Sequence, residues 1–231
     1  VEILKDALVQ AIGLLLRFDP ALLEIVWLTL RVSGSALVLA CLAGVPFGAL
    51  LGLAKFPGRR WLLVLVSTGM GLPPVVAGLI VYLLLSRNGP LGGLDWLFTP
   101  NAMIAAQTVL AFPLAAGLTS SAVQEVPAGL RLQIQSLGAT RWQERWLVLR
   151  EARRGVLAAV LAAFGRIIAE VGAVLLVGGN VAGKTRVLST AIVLETRQGN
   201  FALALALGFV LLGLALLGNA ILLRLEAGSR S

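Results

Sequence analysis

The chain has no histidine and only one cysteine, Cys41, among its 231 residues. A lone thiol excludes a disulfide within the chain, and without imidazoles a His/Cys metal cluster is excluded as well. No metal and no cofactor are expected. The missing histidine also removes the commonest general acid–base group and weakens any enzymatic reading. Charge is scarce too: Asp, Glu, Lys and Arg make up 13% of the chain, about half the share of an ordinary soluble domain. Asp95 is the sole aspartate after Pro20. Internal repeats and low-complexity segments are also lacking.

What fills the chain instead is apolar. Hydrophobic residues make up 58% of it, and its mean hydropathy is +0.95. A helix crosses the hydrocarbon core with about 20 apolar residues. Five runs qualify, at about 29–54, 61–85, 102–123, 155–179 and 201–223. The second and third carry no charge; the fourth contains Arg166 and Glu170. Arg31 lies near the outer end of the first, where its stem lets the guanidinium snorkel to water. Upstream, the apolar stretch 7–16 follows Glu2, Lys5 and Asp6. It is too short to span and no small-residue cleavage site follows it, so it reads as an interfacial helix and not as a cleavable signal. The cluster Arg17-Phe18-Asp19-Pro20 and Glu24 argue against a further span there. The expected architecture is an all-α integral membrane protein. It has about five transmembrane helices, an N-terminal interfacial helix at 1–20 and one transmembrane domain at 21–231.

The net charge of +8 invites a nucleic-acid reading. The distribution argues against it, because the basic residues sit mostly between apolar runs. Counted by loop, one side of the membrane receives eleven Lys and Arg and the other six. The richer side is expected to be cytoplasmic. That puts 124–154 inside, 180–200 outside, the N-terminus outside and the C-terminus inside. Within 180–200, the apolar patch 187–194 is too short to span and is expected as a re-entrant or surface helix.

Four stretches carry possible chemistry. Gly178-Gly179-Asn180-Val181-Ala182-Gly183-Lys184-Thr185 fits the phosphate-loop pattern G-x-x-x-x-G-K-[ST]. A working phosphate loop needs a strand before it and a helix after it. Here a helix-length run precedes it, and orientation puts it outside, away from ATP; chance similarity is the preferred reading. Arg166 and Glu170 stand at i, i+4. On one helix face they can pair, as a structural ion pair or as a polar wall of a pathway. Pro73-Pro74 removes two backbone donors inside the second run. A second half-helix should begin near Pro74, either as a packing kink or with its free N–H groups facing a pathway. Lastly, Leu137-Gly138-Ala139-Thr140-Arg141-Trp142 places a turn and a cap before an amphipathic helix that carries Trp142 and Trp146 on one face. That helix either lies on lipid headgroups or offers a knob to a cytoplasmic partner.

The last stretch, followed by Glu151-Ala152-Arg153-Arg154-Gly155, resembles the cytoplasmic coupling loop of ABC importer permeases. The family pattern is E-A-A-x-x-x-G and then I-x-L-P. Gly138 is its glycine, Leu132, Gln133 and Ile134 stand at the E-A-A positions, and Arg150 replaces the proline. Downstream, Phe164-Gly165-Arg166, Ala169-Glu170-Val171-Gly172-Ala173-Val174, Gly178-Gly179-Asn180 and Gly183-Lys184-Thr185-Arg186 resemble the tungstate, molybdate and sulfate permeases. With Ser189-Thr190-Ala191-Ile192-Val193-Leu194-Glu195-Thr196, Gly71-Leu72-Pro73-Pro74-Val75-Val76 and Phe56-Pro57-Gly58-Arg59-Arg60, the likeness is greatest to tungstate permeases.

The resemblance implies a type I ABC importer permease fold in the cytoplasmic (inner) cell membrane. It implies a second copy of the chain, two cytoplasmic ABC ATPase subunits docked on 124–154, an extracytoplasmic oxyanion-binding protein, surrounding membrane lipids and no nucleic acid. Leu137, Gly138, Ala139, Thr140, Arg141 and Trp142 are the expected coupling interface. Pro73, Pro74, Arg166, Glu170, Gly172 and Asn180 are the expected pathway residues. ATP hydrolysis would belong to the partners, so this chain is expected to have no catalytic residues. The competing classes are an ion-coupled secondary transporter, for which Glu170 is the one intramembrane carboxylate, and a phosphate-loop ATPase.

Overall fold

The structure, a computed structural model, describes residues 20–227 together with 5, 9, 12 and 13. The expected interfacial helix at 1–20 therefore falls almost wholly outside the described residues. Among those described there are ten α-helices, one short 3-10 turn and no strand. Helix α1, Pro20–Leu53, starts on a proline, which at the first helical position forfeits no hydrogen bond. Leu22–Leu53, Pro100–Gln124 and Phe201–Ile221 are each long and apolar enough to cross a bilayer unbroken. Two helix pairs qualify only together, as broken spans or re-entrant loops: α2 (Arg59–Met70) with α3 (Pro74–Leu85), bent by 106°, and α7 (Arg153–Ile168) with α8 (Gly172–Gly178), bent by 56°. The five expected runs are all present. The fourth, expected as one helix, is two. The remaining helices are α4 (Pro100–Gln124), α5 (Ala128–Ser136), α6 (Arg141–Glu151), α9 (Leu188–Arg197) and α10 (Phe201–Ala227).

The helices build two compact units from interleaved segments. The first takes residues 1–36, 73–107 and 167–220. Here α3 and α8 touch backbone to backbone: a Cβ on Gly78 would lie 2.6 Å from Ala173 Cα. Leu22, Leu188, Ala191 and Leu207 form a core joined by Ile25, Val26, Ile192 and Leu203. The patch 187–194 thus belongs to α9 and is packed. Leu188 to Ala191 are buried, which sets aside the surface alternative and leaves the re-entrant one. The Thr29 hydroxyl fixes its start, accepting from the Leu188 N–H at 2.9 Å while donating to the Ile25 carbonyl at 2.7 Å.

The second unit takes residues 37–72, 108–166 and 221–231. Gly44, Gly48 and Gly52 recur every fourth residue and face α4. A Cβ at Gly44 would come 2.8 Å from Ala115 Cβ; at Gly48 it would overlap the Ala116 carbonyl, and at Gly52 the Val123 side chain. Lipid gives helices no hydrophobic reason to associate, so such small-residue faces supply close van der Waals contact instead. Phe47 and Phe112 pack beside them with ring centroids 5.5 Å apart. At the end of α4, Ala122, Val123, Val126, Ile134, Val148 and Ala152 form a separate core that seats α5 and α6. Leu42 and Leu65 are exposed in this unit, and Leu212, Leu216 and Leu217 in the first, as lipid-facing side chains are.

Candidate functional site

A helix that stops inside hydrocarbon leaves carbonyls and N–H groups with no water to satisfy them. At the second break, α7 ends at Ile168 and α8 begins at Gly172. The Ile167 carbonyl accepts from Gln107 Nε2 at 3.3 Å and from the Glu170 N–H at 3.1 Å. Glu170 is 5% exposed. Its carboxylate accepts from the Ala173 N–H at 2.9 Å, and its own carbonyl accepts from the Ser189 hydroxyl at 2.8 Å. A carboxylate at a helix start is held by a freed N–H and by the positive end of the dipole. Val75 stands against Gly172, where a Cβ would come 3.0 Å from its Cγ2.

This corrects the expected Arg166–Glu170 pair. That spacing makes neighbours only on a continuous helix, and Glu170 lies in the break. Among the described residues, the one ion pair within 4 Å is Arg131–Glu144. Arg166 Nη2 instead donates to the Leu72 carbonyl at 3.0 Å. Leu72 directly precedes Pro73-Pro74, and α3 starts at Pro74 as expected, with its first backbone bonds running from Val76 and Ala77 to the Pro73 carbonyl. Arg166 therefore caps the carbonyl that this break leaves free.

The loop after α8 closes on itself. Gly179, Asn180 and Gly183 adopt left-handed φ of 70°, 53° and 72°. The N–H groups of Lys184, Thr185 and Arg186 all point to the Val181 carbonyl, at 3.2, 2.9 and 3.1 Å. The buried Thr185 hydroxyl donates to the Gly178 carbonyl at 2.6 Å and accepts from the Val181 N–H at 2.9 Å. Helix α8 precedes this loop where a phosphate loop has a strand, and the donors that would cradle phosphate are turned inward. Among the described residues, Asn180 Oδ1 and Arg186 Nε are buried without a hydrogen-bond partner.

The coupling stretch is a helical hairpin. Gly138 sits at φ 76° between α5 and α6, a conformation that disfavours a side chain although open space surrounds it. Thr140 then caps α6 as expected: its hydroxyl accepts from the Gln143 N–H at 3.3 Å, while the Gln143 side chain accepts from the Thr140 N–H at 2.8 Å. Leu137, at the tip, is 86% exposed. Glu144 locks the two arms, accepting from Arg131 Nε at 3.1 Å and Gln135 Nε2 at 3.0 Å. The hydrogen bond from Gln135, then the Arg131 guanidinium, hold the Glu144 carboxyl below its usual range against the opposing effect of burial. Sequence reasoning missed Gln107, Ser189, Thr29 and Glu144. For Gln107 the available signal was a lone amide in an otherwise uncharged run, which in lipid demands a partner.

The model of binding-protein-dependent transport system inner membrane components matches residues 44–231. A probable anion ABC transporter permease of Haloferax volcanii is 46% identical, covering 87% of this chain and 88% of its own. A tungstate uptake system permease of Peptoclostridium acidaminophilum is 37% identical, covering 98% and 99%. The molybdenum transport permease of Escherichia coli is 29% identical over 73% of this chain. Among solved structures, an amino acid ABC transporter crystallised with histidines gives a TM-score of 0.67 at 16% identity, covering 92% of this chain and 96% of that one. A bacterial transporter involved in alginate import gives 0.70 at 19%, covering 96% and 82%. These two matches show that the fold is that of ABC transporter permeases.

Two predictions follow from this geometry. Replacing Glu170 by Leu removes the α8 cap and lowers stability by about 1–2 kcal/mol, while Gln, which keeps an acceptor, loses less. In a double-mutant cycle, Glu170→Gln and Arg166→Gln add within about 0.5 kcal/mol. Thermal unfolding in detergent reads both, and a larger coupling would restore the ion pair. Separately, the depressed Glu144 carboxyl stabilises the hairpin fully above the ordinary carboxylate value of about 4.3. That contribution disappears as pH falls through its lower folded value. Acid titration of tryptophan fluorescence should show a step in this window for the native chain and none for Glu144→Gln.

Proposed function

Because the chain belongs to the family of binding-protein-dependent transport system inner membrane components, we propose that it is the membrane-spanning subunit of an ATP-driven importer of a small oxyanion, tungstate before molybdate or sulfate. The observation that carries this is the nearly full-length similarity to a tungstate uptake permease. Two copies of the chain bind two cytoplasmic ATPase subunits at the α5–α6 hairpin, and an extracytoplasmic binding protein delivers the anion. ATP is hydrolysed in the partners. Rocking of the two copies alternates access to a pathway between them.

The geometry supports a division of labour. Leu137, Gly138, Ala139, Thr140 and Arg141 form a capped, exposed tip on a hairpin held rigid by Glu144, which suits transmission of force from an ATPase. Pro73, Pro74, Arg166, Glu170, Gly172 and Asn180 sit at or just after interrupted spans, where irregular backbone is tolerated if protein covers it or it lines a cavity. Arg166 and Glu170 act here as caps that hold the breaks open, so they shape the pathway without gripping the anion. The secondary-transporter reading needs Glu170 free to take up an ion, and its carboxylate is engaged by Ala173. The phosphate-loop reading needs the inward-turned donors of 178–185.

The deciding experiment is uptake of tungstate, molybdate and sulfate by cells carrying the chain with its partners, with ATPase co-purification as a second readout. Gly138→Val is expected to stay in the membrane, lose ATPase association and reduce uptake at least tenfold; normal association and uptake would falsify the docking assignment. Orientation is tested with single cysteines in a Cys41→Ser background. Gln143→Cys should resist an impermeant thiol reagent in sealed cells and react once they are opened. Labelling from outside inverts the topology.

A further inference from the structure

Two cavities meet on the second unit at the end of α1, and they have opposite chemistry. One is a slot of about 380 Å³ walled by Pro46, Ala49, Leu50 and Leu53 of α1 and by Trp142, Trp146 and Leu149 of α6. Its lining is almost wholly apolar. The other, of about 550 Å³, carries Lys55, Arg131, Arg141 and Arg145 against the single carboxylate of Glu144. Leu53 and Arg145 line both. Arg131 is already bound to Glu144, which leaves Lys55, Arg141 and Arg145 as the surplus positive charge. We infer that this pair of cavities is a binding site for one anionic phospholipid, its acyl chain in the slot and its phosphate in the basic pocket.

Three observations select a lipid over other occupants. The slot is walled by the last two turns of a membrane span, and the basic pocket starts at Lys55, two residues past that helix. The boundary between them therefore falls where acyl chain gives way to headgroup. Trp142 and Trp146 are 76% and 61% exposed beside the slot. Exposed indoles with one apolar side and one wet side mark the membrane–water interface. The charge sign is also specific: basic pockets beside spans on the cytoplasmic side recruit anionic headgroups, at about fivefold per engaged Lys or Arg. A soluble anion would leave the apolar half unfilled. A protein partner would find its contact at the hairpin tip, which points Leu137 outward; Trp142 lines the slot, and Arg141, expected at that same interface, lines the basic pocket. On this proposal Trp142 and Arg141, both expected at the ATPase interface, serve the lipid site.

The test reconstitutes the full chain in vesicles of phosphatidylcholine that hold a minor, matched fraction of either brominated phosphatidylglycerol or brominated phosphatidylcholine. Bromine quenches tryptophan only at contact range. The brominated anionic lipid is expected to quench with at least fivefold greater apparent affinity, about fivefold for each of the three cations it engages. That excess should vanish in Trp142→Phe/Trp146→Phe. In Lys55→Gln/Arg141→Gln/Arg145→Gln it should also vanish, while quenching by the neutral lipid stays unchanged and certifies the fold. If the triple variant fails to assemble, Lys55→Gln alone decides, with a partial loss expected. Equal quenching by the two lipids overturns the site, as does an excess that survives either set of substitutions. Loss of the excess on adding the ATPase subunits assigns the slot to a protein and overturns it too. None of these readouts depends on uptake, so the lipid site and the proposed transport function fail separately.

Discussion

Hydrocarbon offers the backbone no hydrogen-bond partner, and the rest of this structure follows from how the chain meets that constraint at two interrupted spans. A broken helix exposes carbonyls on one side and N–H groups on the other, and each left unsatisfied costs several kcal/mol in lipid, on the order of 3–5. Here the loose ends are met one by one. Arg166 takes the carbonyl before the two prolines. Gln107 and the Glu170 amide take the carbonyl near the end of α7, and the Glu170 carboxylate takes an N–H at the start of α8. Ser189 takes the carbonyl of Glu170 itself, and Thr29 takes the first N–H of α9. The few polar side chains within the apolar runs are thus largely committed to backbone.

That commitment changes how charge inside the membrane is read. A lone intramembrane carboxylate usually suggests ion coupling or a substrate contact. Glu170 is buried, but its compensation is a helix start, not a cation on the neighbouring turn. A cap is a geometric device: it sets where the helix begins and in which direction the next carbonyl points. The same holds for Arg166, whose guanidinium fills a gap that proline creates. Both residues therefore act through the shape of the backbone they stabilise.

Much of this was legible in the sequence, and the failures have identifiable causes. Run length located the three unbroken spans and both bent helix pairs because bilayer thickness is a hard ruler. Proline chemistry located the start of α3 to the residue, since Pro74 cannot continue a preceding helix yet is well suited to begin one. Thr140 was recognisable as a cap from residue type alone, and Gly138 as a turn. The i, i+4 rule failed at Arg166 and Glu170 because it presumes an unbroken helix, and no proline marks the second break. Its only sequence trace is Gly172, in a run where glycines are common. The 187–194 patch stayed open between a re-entrant and a surface helix because a run too short to span can be either a packed element or a surface one. The partner that decides, Thr29, is about 160 residues away in the chain. Glu144 was invisible for a related reason: its role depends on Arg131 and Gln135 facing it across a turn.

The hairpin shows why such cross-turn contacts matter for rigidity. A helix pair transmits a push only if its arms do not close or splay under load. The Gly138 turn supplies direction without stiffness, because open space surrounds it. Stiffness has to come from elsewhere, and two features provide it. Ile134 and Val148 anchor one arm each in the core at the end of α4, and Glu144 bridges the arms through Arg131 and Gln135. The bridge is ionic where the core is apolar, so the two respond to different perturbations: acid or salt loosens the first and leaves the second. The E-A-A positions of this chain carry no carboxylate of their own. The one carboxylate that clasps the hairpin lies on α6, so whatever acidic contribution the loop makes to its rigidity comes from within the second helix and not from the first.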